Sequence, residues 1–404
     1  MHLHESNRSR ARFDYVLVIL VFGLAAFGVL SVSVATFSTS SEAEDTLFNY
    51  ILNSYYGLRQ ALFFLISPIV VGFLMMVPYE FIHRNSKIIY VMACGLLALA
   101  LGASKAAGVK AWIDMLWGYT IQPAEFVKLA CIIVLARELE NNTNPLSKFK
   151  DWVRIFTLMG IPWGLTLLQG ETGSVFVMVF VFAIMMYFGG LSTKTIIIVL
   201  SLGAALLAVG YAIIMTTNIS DYRITRILSF LDSSLVDDGA SYQVDNSKIA
   251  IGSGGLYGKG TFVQGSFSQL DYVPEDWTDF IFSTIGEAFG FVGCAGVIIV
   301  YLLIILRMLY LARYTLNRFG SLVIIGVMAM LLFHVFENVG MTTGLMPVTG
   351  IPLPFVSYGG SNLVTNMAGI GLVLNVVKNR SSAYDSVTPQ IATVKQWTNR
   401  KGRN

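Results

Sequence analysis

VPEDWTDFIFSTIGEAFGFVGCAGVIIVYLLIIL, residues 273–306, places three carboxylates and a tryptophan directly ahead of an apolar run long enough to cross a bilayer. Glu275 and Asp276 precede the run, Asp279 sits on its lip, and Glu287 lies about two helical turns inside. A chain normally enters a span through neutral or aromatic residues, because an acid at the bilayer centre costs about 3 kcal/mol or more. The stretch therefore points to a membrane protein whose acids stand at the membrane surface for a chemical reason.

The rest of the chain agrees. Of 404 residues, 55% are hydrophobic and only 13% charged, where soluble domains carry about 25% charged residues. Segments of about 20 residues fall near 14–36, 58–78, 88–104, 122–136, 155–169, 172–188, 195–216, 280–306, 319–340 and 361–377. They predict an all-α polytopic membrane protein of about ten transmembrane helices. With the N-terminus inside, the inner pieces hold 19 of the 27 lysines and arginines, the bias that orients such chains. Both termini are then cytoplasmic. The predicted organisation is an inner segment 1–13, a ten-span domain 14–380, and a basic inner tail 381–404. The tail reads as disordered and drawn to anionic lipid. Residues 217–279 form one large outer loop between spans seven and eight.

The acids go the other way: seventeen of 24 fall outside or near the outer ends of spans. Solubility of the long loop accounts for that blandly, chemistry at the outer face more sharply. Cys94, Cys131 and Cys294 lie scattered within predicted spans, which argues against a disulfide framework or a metal knuckle. The histidines are His2, His4, His83 and His334, none of them in the large outer loop. A Ser-His-Asp site there is excluded.

Within that loop, 220–235 repeats apolar residues at helical spacing, with Arg223 and Arg226 in the same stretch. A helix in the headgroup region and a packed surface helix both fit. SKIAIGSGGLYGKG (247–260) invites a phosphate-loop reading and fails it. Ser253 stands where a glycine is required, and Gly260 where Ser or Thr should follow Lys259. What survives is a flexible loop, or a glycine turn whose N–H groups line an anion beside Lys259. GLMPVTGIPLPFVSYGGSNL (344–363) has three prolines and four glycines, so it is no regular helix. At membrane depth such backbone is either a buried plug or a cavity wall. In AWIDMLWGYTIQPAEFVKL (111–129), Glu125 and Lys128 share a helix face, as a site or as a structural ion pair. Trp112 and Trp117 read as interface-belt aromatics or as a sugar platform.

Four blocks together, 112–130, 247–260, 273–293 and 344–363, resemble the SEDS family of RodA, FtsW and SpoVE proteins, in family order and across residues 14 to 380. The wording GLMPVTGIPLPF is closer to the RodA-like branch. The resemblance implies a peptidoglycan glycosyltransferase that polymerises lipid II at the outer face of the bacterial cytoplasmic membrane. It implies a class B penicillin-binding protein as partner, contacts with membrane lipids and the growing glycan, and no nucleic acid. The family's T-D-F-I-F block falls on Thr278–Phe282 and makes Asp279 the catalytic aspartate. Its Q-P-[SA]-E-x-x-K-L block falls on Gln122, Pro123, Glu125 and Lys128. Two departures stand out. QGETGS (169–174) replaces the usual Q-P-D-L-G-T, so Glu171 stands for aspartate, and Trp277 occupies a position often held by histidine.

The mechanism expected is an inverting displacement. A sugar hydroxyl attacks an anomeric carbon, Asp279 at the membrane lip takes its proton, and a lipid pyrophosphate leaves. Lys110, Arg223, Arg226 and Lys259 are the candidate pyrophosphate cations. Trp112, Glu125, Lys128, Glu171 and Ser357 complete the expected substrate-binding set. A divalent cation, Mg or Mn, bridging Asp279 or Glu171 to the diphosphate is compatible with the acids, though no metal motif is present. Glu287 reads as a buried acid pairing across helices. The competing readings are a lipid-precursor flippase and a non-catalytic scaffold for a cell-wall synthase. Against the flippase, the acids gather on one side and the two halves show no repeated pair of interrupted helices.

Overall fold

A computed structural model describes residues 13–36, 51–102, 111–114, 120–141, 148–195, 197, 201, 239–270 and 272–379. Among these, the chain runs through α1 (Tyr15–Ala35), α2 (Tyr55–Met76), α3 (Tyr79–Arg84) and α4 (Ser86–Ala100). A short antiparallel ribbon follows, β1 (Ile113–Asp114) with β2 (Thr120–Ile121), Ile113 opposite Ile121. Then come α5 (Pro123–Glu140), α6 (Phe149–Gln169), α7 (Thr172–Phe188), α8 (Gly239–Ser253), α9 (Ile281–Arg313), α10 (Arg318–Thr342) and α11 (Gly360–Asn379). A helix stands at each predicted segment within the described residues; 195–216 lies almost wholly outside them. By length and composition α1, α2, α9, α10 and α11 can each cross a membrane, and α4 and α7 are shorter apolar helices.

Local chemistry sets the ends. Asp14 caps α1, accepting from the Leu17 N–H at 2.9 Å, and the same carboxylate pairs with Arg307 of α9 at 2.8 Å. Pro123 opens α5, where its missing N–H has no cost. Gly170, at φ 100°, turns the chain out of α6. Asn317 caps α10 through the N–H groups of Phe319 and Gly320.

Burial sorts the helices. The spans of α10 and α11 are 72% and 83% buried, so they form the centre, with α5 and α7 packed on α10. The spans of α2 and α9 are only 17% and 28% buried and turn apolar side chains outward, as lipid-facing helices do. The irregular loop between α10 and α11 packs inside the protein. Ile351, Leu353, Phe355 and Val356 are buried, and the Tyr301 hydroxyl of α9 donates to the Pro354 carbonyl. Phe355 holds a left-handed φ of 68°, a strained conformation for a bulky residue that dense surroundings maintain.

Candidate active site

Asp279 lies one residue before Phe280, the N-cap of α9, and is half-buried. Three successive carbonyls of its turn are held from elsewhere in the fold. Tyr358 N–H donates to Trp277 O at 2.9 Å, Ser357 Oγ to Thr278 O at 2.6 Å, and Asn338 Nδ2 to Asp279 O at 2.7 Å. Asn338, fully buried on α10, uses its amide a second time on Ile351 O at 2.8 Å. Ser357 Oγ in turn accepts from Leu353 N–H at 2.7 Å. The last loop is therefore the clamp that orients Asp279, and Ser357 is committed to that clamp.

The glycine block 252–260 has a different task from an anion cradle. α9 is broken at Gly290, whose φ of 65° and ψ of −162° interrupt the helix. Residues 255–260 supply the hydrogen bonds lost there. Lys259 N and Gly260 N donate to Glu287 O and Ala288 O at 2.9 and 3.0 Å. In return Phe291 N and Val292 N donate to Gly255 O and Leu256 O at 2.9 and 3.1 Å. A Cβ on Gly254, Gly258 or Gly290 would strike the opposing backbone, so glycine is needed for the close approach. These N–H groups are thus engaged, which corrects the anion-cradle expectation. The expected pairing of Glu287 across helices is corrected too. Its buried carboxylate receives Lys259 Nζ and Phe267 N at 2.8 Å, and Ser268 N and Oγ at 3.1 Å, all from the loop. Glu287 is the anchor that seats residues 259–268 on the N-terminal half of α9.

A second polar group lies between α5, α7 and α10. Lys128 Nζ donates to Glu125 Oε1 at 2.8 Å and to His334 Nε2 at 3.0 Å. Since an ammonium only donates, His334 carries its proton on Nδ1 and gives it to Met330 O at 2.7 Å. Glu125 and Lys128 are both 2% exposed, and Glu125 Oε2 has no hydrogen-bond partner among the described residues. Nearby, Glu171 at the start of α7 accepts from Gln122 Nε2 and from Ser174 Oγ, the latter at 3.2 Å. Burial pushes the Glu171 carboxyl up to about 7; the Gln122 hydrogen bond opposes this, the Glu125 charge adds to it and Lys128 opposes it. Ser361, at the start of α11, accepts from Gln122 N at 3.2 Å and so ties the group to the last loop. Among the described residues no set of three or more His, Cys, Asp and Glu could hold a metal ion.

Of the expected site residues, Glu125, Lys128 and Glu171 come together, while Asp279 and Ser357 share the clamp. Lys259 is one-third exposed and ion-paired to Glu287. Trp112 is half-buried just ahead of β1. Lys110, Arg223, Arg226, Trp117 and the 220–235 helix reading lie outside the described residues.

The family model described as "Cell cycle protein", FtsW/RodA/SpoVE, matches residues 15–382. The chain belongs to the FtsW/RodA/SpoVE family. It is thereby a multi-pass membrane protein. It is 34% identical over 329 residues to the peptidoglycan glycosyltransferase MrdB of Escherichia coli K12, covering 80% of this chain and 87% of that one. It is 32% identical over 375 residues to the stage V sporulation protein E of Bacillus subtilis 168, covering 92% and 98%. Among solved structures, a chain of a peptidoglycan synthase complex that coordinates polymerization and crosslinking superposes with TM-score 0.72 at 27% identity, covering 91% and 98%. The rod-shape-determining protein RodA of Thermus thermophilus superposes with TM-score 0.65 at 27% identity, covering 91% and 97%. Within this FtsW/RodA/SpoVE chain, sequence reasoning passed over Asn338, Glu337 and Gln60. Glu337 accepts from Thr349 Oγ1 at 2.8 Å, and Gln60 Nε2 donates to Ser357 O at 3.1 Å. Their signal was present, since polar residues inside apolar spans mark functional positions by default.

Proposed function

We propose that this chain is a peptidoglycan glycosyltransferase that extends glycan strands from lipid II at the outer face of the cytoplasmic membrane, with Asp279 as general base. The observation that carries the assignment of the base is the clamp. A carboxylate at the entry to an apolar helix is held through three consecutive backbone carbonyls by buried groups of α10 and the last loop. Such fixing of a group beside a membrane-bound substrate is what proximity catalysis requires. In the reaction, an acceptor sugar hydroxyl attacks the anomeric carbon of the donor. Its proton passes to Asp279 as the bond to the undecaprenyl pyrophosphate oxygen breaks. One displacement inverts that carbon. General-base assistance of this kind supplies about 10²–10⁴-fold.

The reading includes ten spans with both termini inside, a substrate-facing outer loop 217–279, and a class B penicillin-binding protein as crosslinking partner. The relatives' names and the synthase-complex neighbour support the activity and a partner of this kind. Lys110, Arg223 and Arg226 remain the proposed diphosphate cations, and Glu125, Lys128, Glu171 and Trp112 the substrate-facing groups. Lys259 joins them only through its exposed third, since its ammonium already neutralises Glu287.

The test is glycan polymerisation from purified lipid II in detergent, comparing wild type with Asp279→Asn, each with the candidate partner bound. Long glycan is expected from wild type and at least a hundredfold less from Asp279→Asn. Equal product from both folded proteins removes Asp279 from the mechanism.

A further inference from the structure

Beside the Asp279 turn, aromatic rings from three separate segments converge. Tyr56 at the start of α2 stacks on Trp277, with centroids 5.5 Å apart and planes 13° from parallel. Tyr358 of the last loop meets Tyr56 edge-on at 5.0 Å, and Tyr55 does the same at 5.2 Å. The Arg59 guanidinium lies 4.2 Å over the Tyr55 ring and also engages the Tyr358 hydroxyl. We propose that Tyr56, Trp277 and Tyr358, edged by Arg59, form a saccharide-binding platform that seats a pyranose ring of the lipid-linked substrate next to Asp279. This rests on the glycosyltransferase reading and deepens it.

Among the described residues the cluster is partly open. Tyr56, Trp277 and Tyr358 pack on the core while remaining only partly buried, as is Arg59, and Tyr55 is 61% exposed, so some aromatic surface stays uncovered by the described residues. It is also rigidly placed. Trp277 is two residues from Asp279 and its carbonyl is held by Tyr358 N–H. Gln60, one turn along α2 from Tyr56, donates to Ser357 O at 3.1 Å and so fixes α2 to the same loop. A pyranose carries C–H groups on its faces and hydroxyls on its rim. The former pack on aromatic faces; the latter take hydrogen bonds from phenols and a guanidinium. Arg59 gives the platform one positive edge, which suits a sugar carried on a diphosphate.

Lipid-facing belt aromatics offer the plainer account, because tyrosine and tryptophan gather at membrane interfaces. Belt residues face headgroups singly. These rings instead turn to one another across three segments, beside the Asp279 turn.

The experiment measures binding of fluorescent lipid II to the full-length protein carrying Asp279→Asn, which halts turnover, and then adds Trp277→Ala, Trp277→Phe or Tyr56→Ala. A soluble peptidoglycan oligosaccharide lacking lipid and diphosphate serves as competitor. About tenfold weaker binding is expected for Trp277→Ala and Tyr56→Ala, with a smaller loss for Trp277→Phe, which keeps a ring. If the platform holds the growing strand, the competitor loses displacing power in the same variants. If it holds the donor, only lipid II affinity falls. Melting temperature and partner binding report folding; if Trp277→Ala does not fold, Trp277→Phe and Tyr56→Ala carry the comparison. Unchanged affinity in folded variants overturns the platform, as does a loss confined to partner binding, which makes the cluster a protein interface. No lipid II binding by the Asp279→Asn parent overturns instead the glycosyltransferase reading beneath it.

Discussion

Glu171 is a candidate site residue whose environment changes its chemistry. Its carboxyl titrates near 7, above the usual 4.5, because it is withdrawn from water and lies near Glu125. The folded protein therefore holds this proton more tightly than the unfolded chain does. The contribution to stability is complete below about pH 4.5 and is lost as pH rises to about 7. Across that window the melting temperature of wild type should fall relative to Glu171→Gln. Parallel profiles for the two proteins would show that the carboxyl titrates normally. The Glu171 side chain reaches Gln122 and Ser174.

At the scale of elements, two junctions decide where Asp279 stands. Asn338→Asp keeps shape and removes both donors, releasing the Asp279 and Ile351 carbonyls. Loss of a buried hydrogen-bond partner costs about 1–3 kcal/mol. Polymerisation should drop at least tenfold, with most of the loss in kcat because the Asn338 bonds orient the base; wild-type turnover in a folded variant would dismiss the clamp. The second junction is the exchange of backbone hydrogen bonds between 255–260 and broken α9. Gly290→Ala puts a Cβ against Gly258 and Leu256 in a conformation that by itself costs about 1–3 kcal/mol. A lowered melting temperature and faster proteolysis of residues 254–268 are expected. An unchanged protease pattern would mean that the loop does not depend on this seat.

The whole molecule places its polar groups by side. The Arg137 guanidinium on α5 binds the His83 and Arg84 carbonyls, and His83 pairs with Glu140 at 2.6 Å. These ties close one end of the bundle, while the Asp279 clamp and the glycine seat close the other. The native cysteines are all buried, so an introduced thiol is read cleanly. Tyr257→Cys, at a position 78% exposed, should react with an impermeant maleimide added to intact cells. Tyr314→Cys, 59% exposed between α9 and α10, should react only after permeabilisation. The reverse pattern would invert the proposed topology.

The sequence by itself determined the helical membrane architecture, because desolvation of a backbone in hydrocarbon leaves few options and an apolar run announces itself. It also singled out Asp279, Glu125, Lys128 and Glu171 as proposed site residues, the first and last through the family resemblance and the middle pair because charge inside a span is costly. It misread 247–260, where α8 runs through Ser253 and the glycines serve a close approach of two backbones. Composition cannot distinguish that use of glycine from an anion loop, because both require bare backbone. Nor did it foresee that Ser357, Tyr358 and Asn338 hold consecutive carbonyls, or that Tyr56 lies against Trp277. Those pairings join residues far apart along the chain, and only the packing of α2, α9, α10 and the last loop brings their hydrogen-bonding groups and rings within reach.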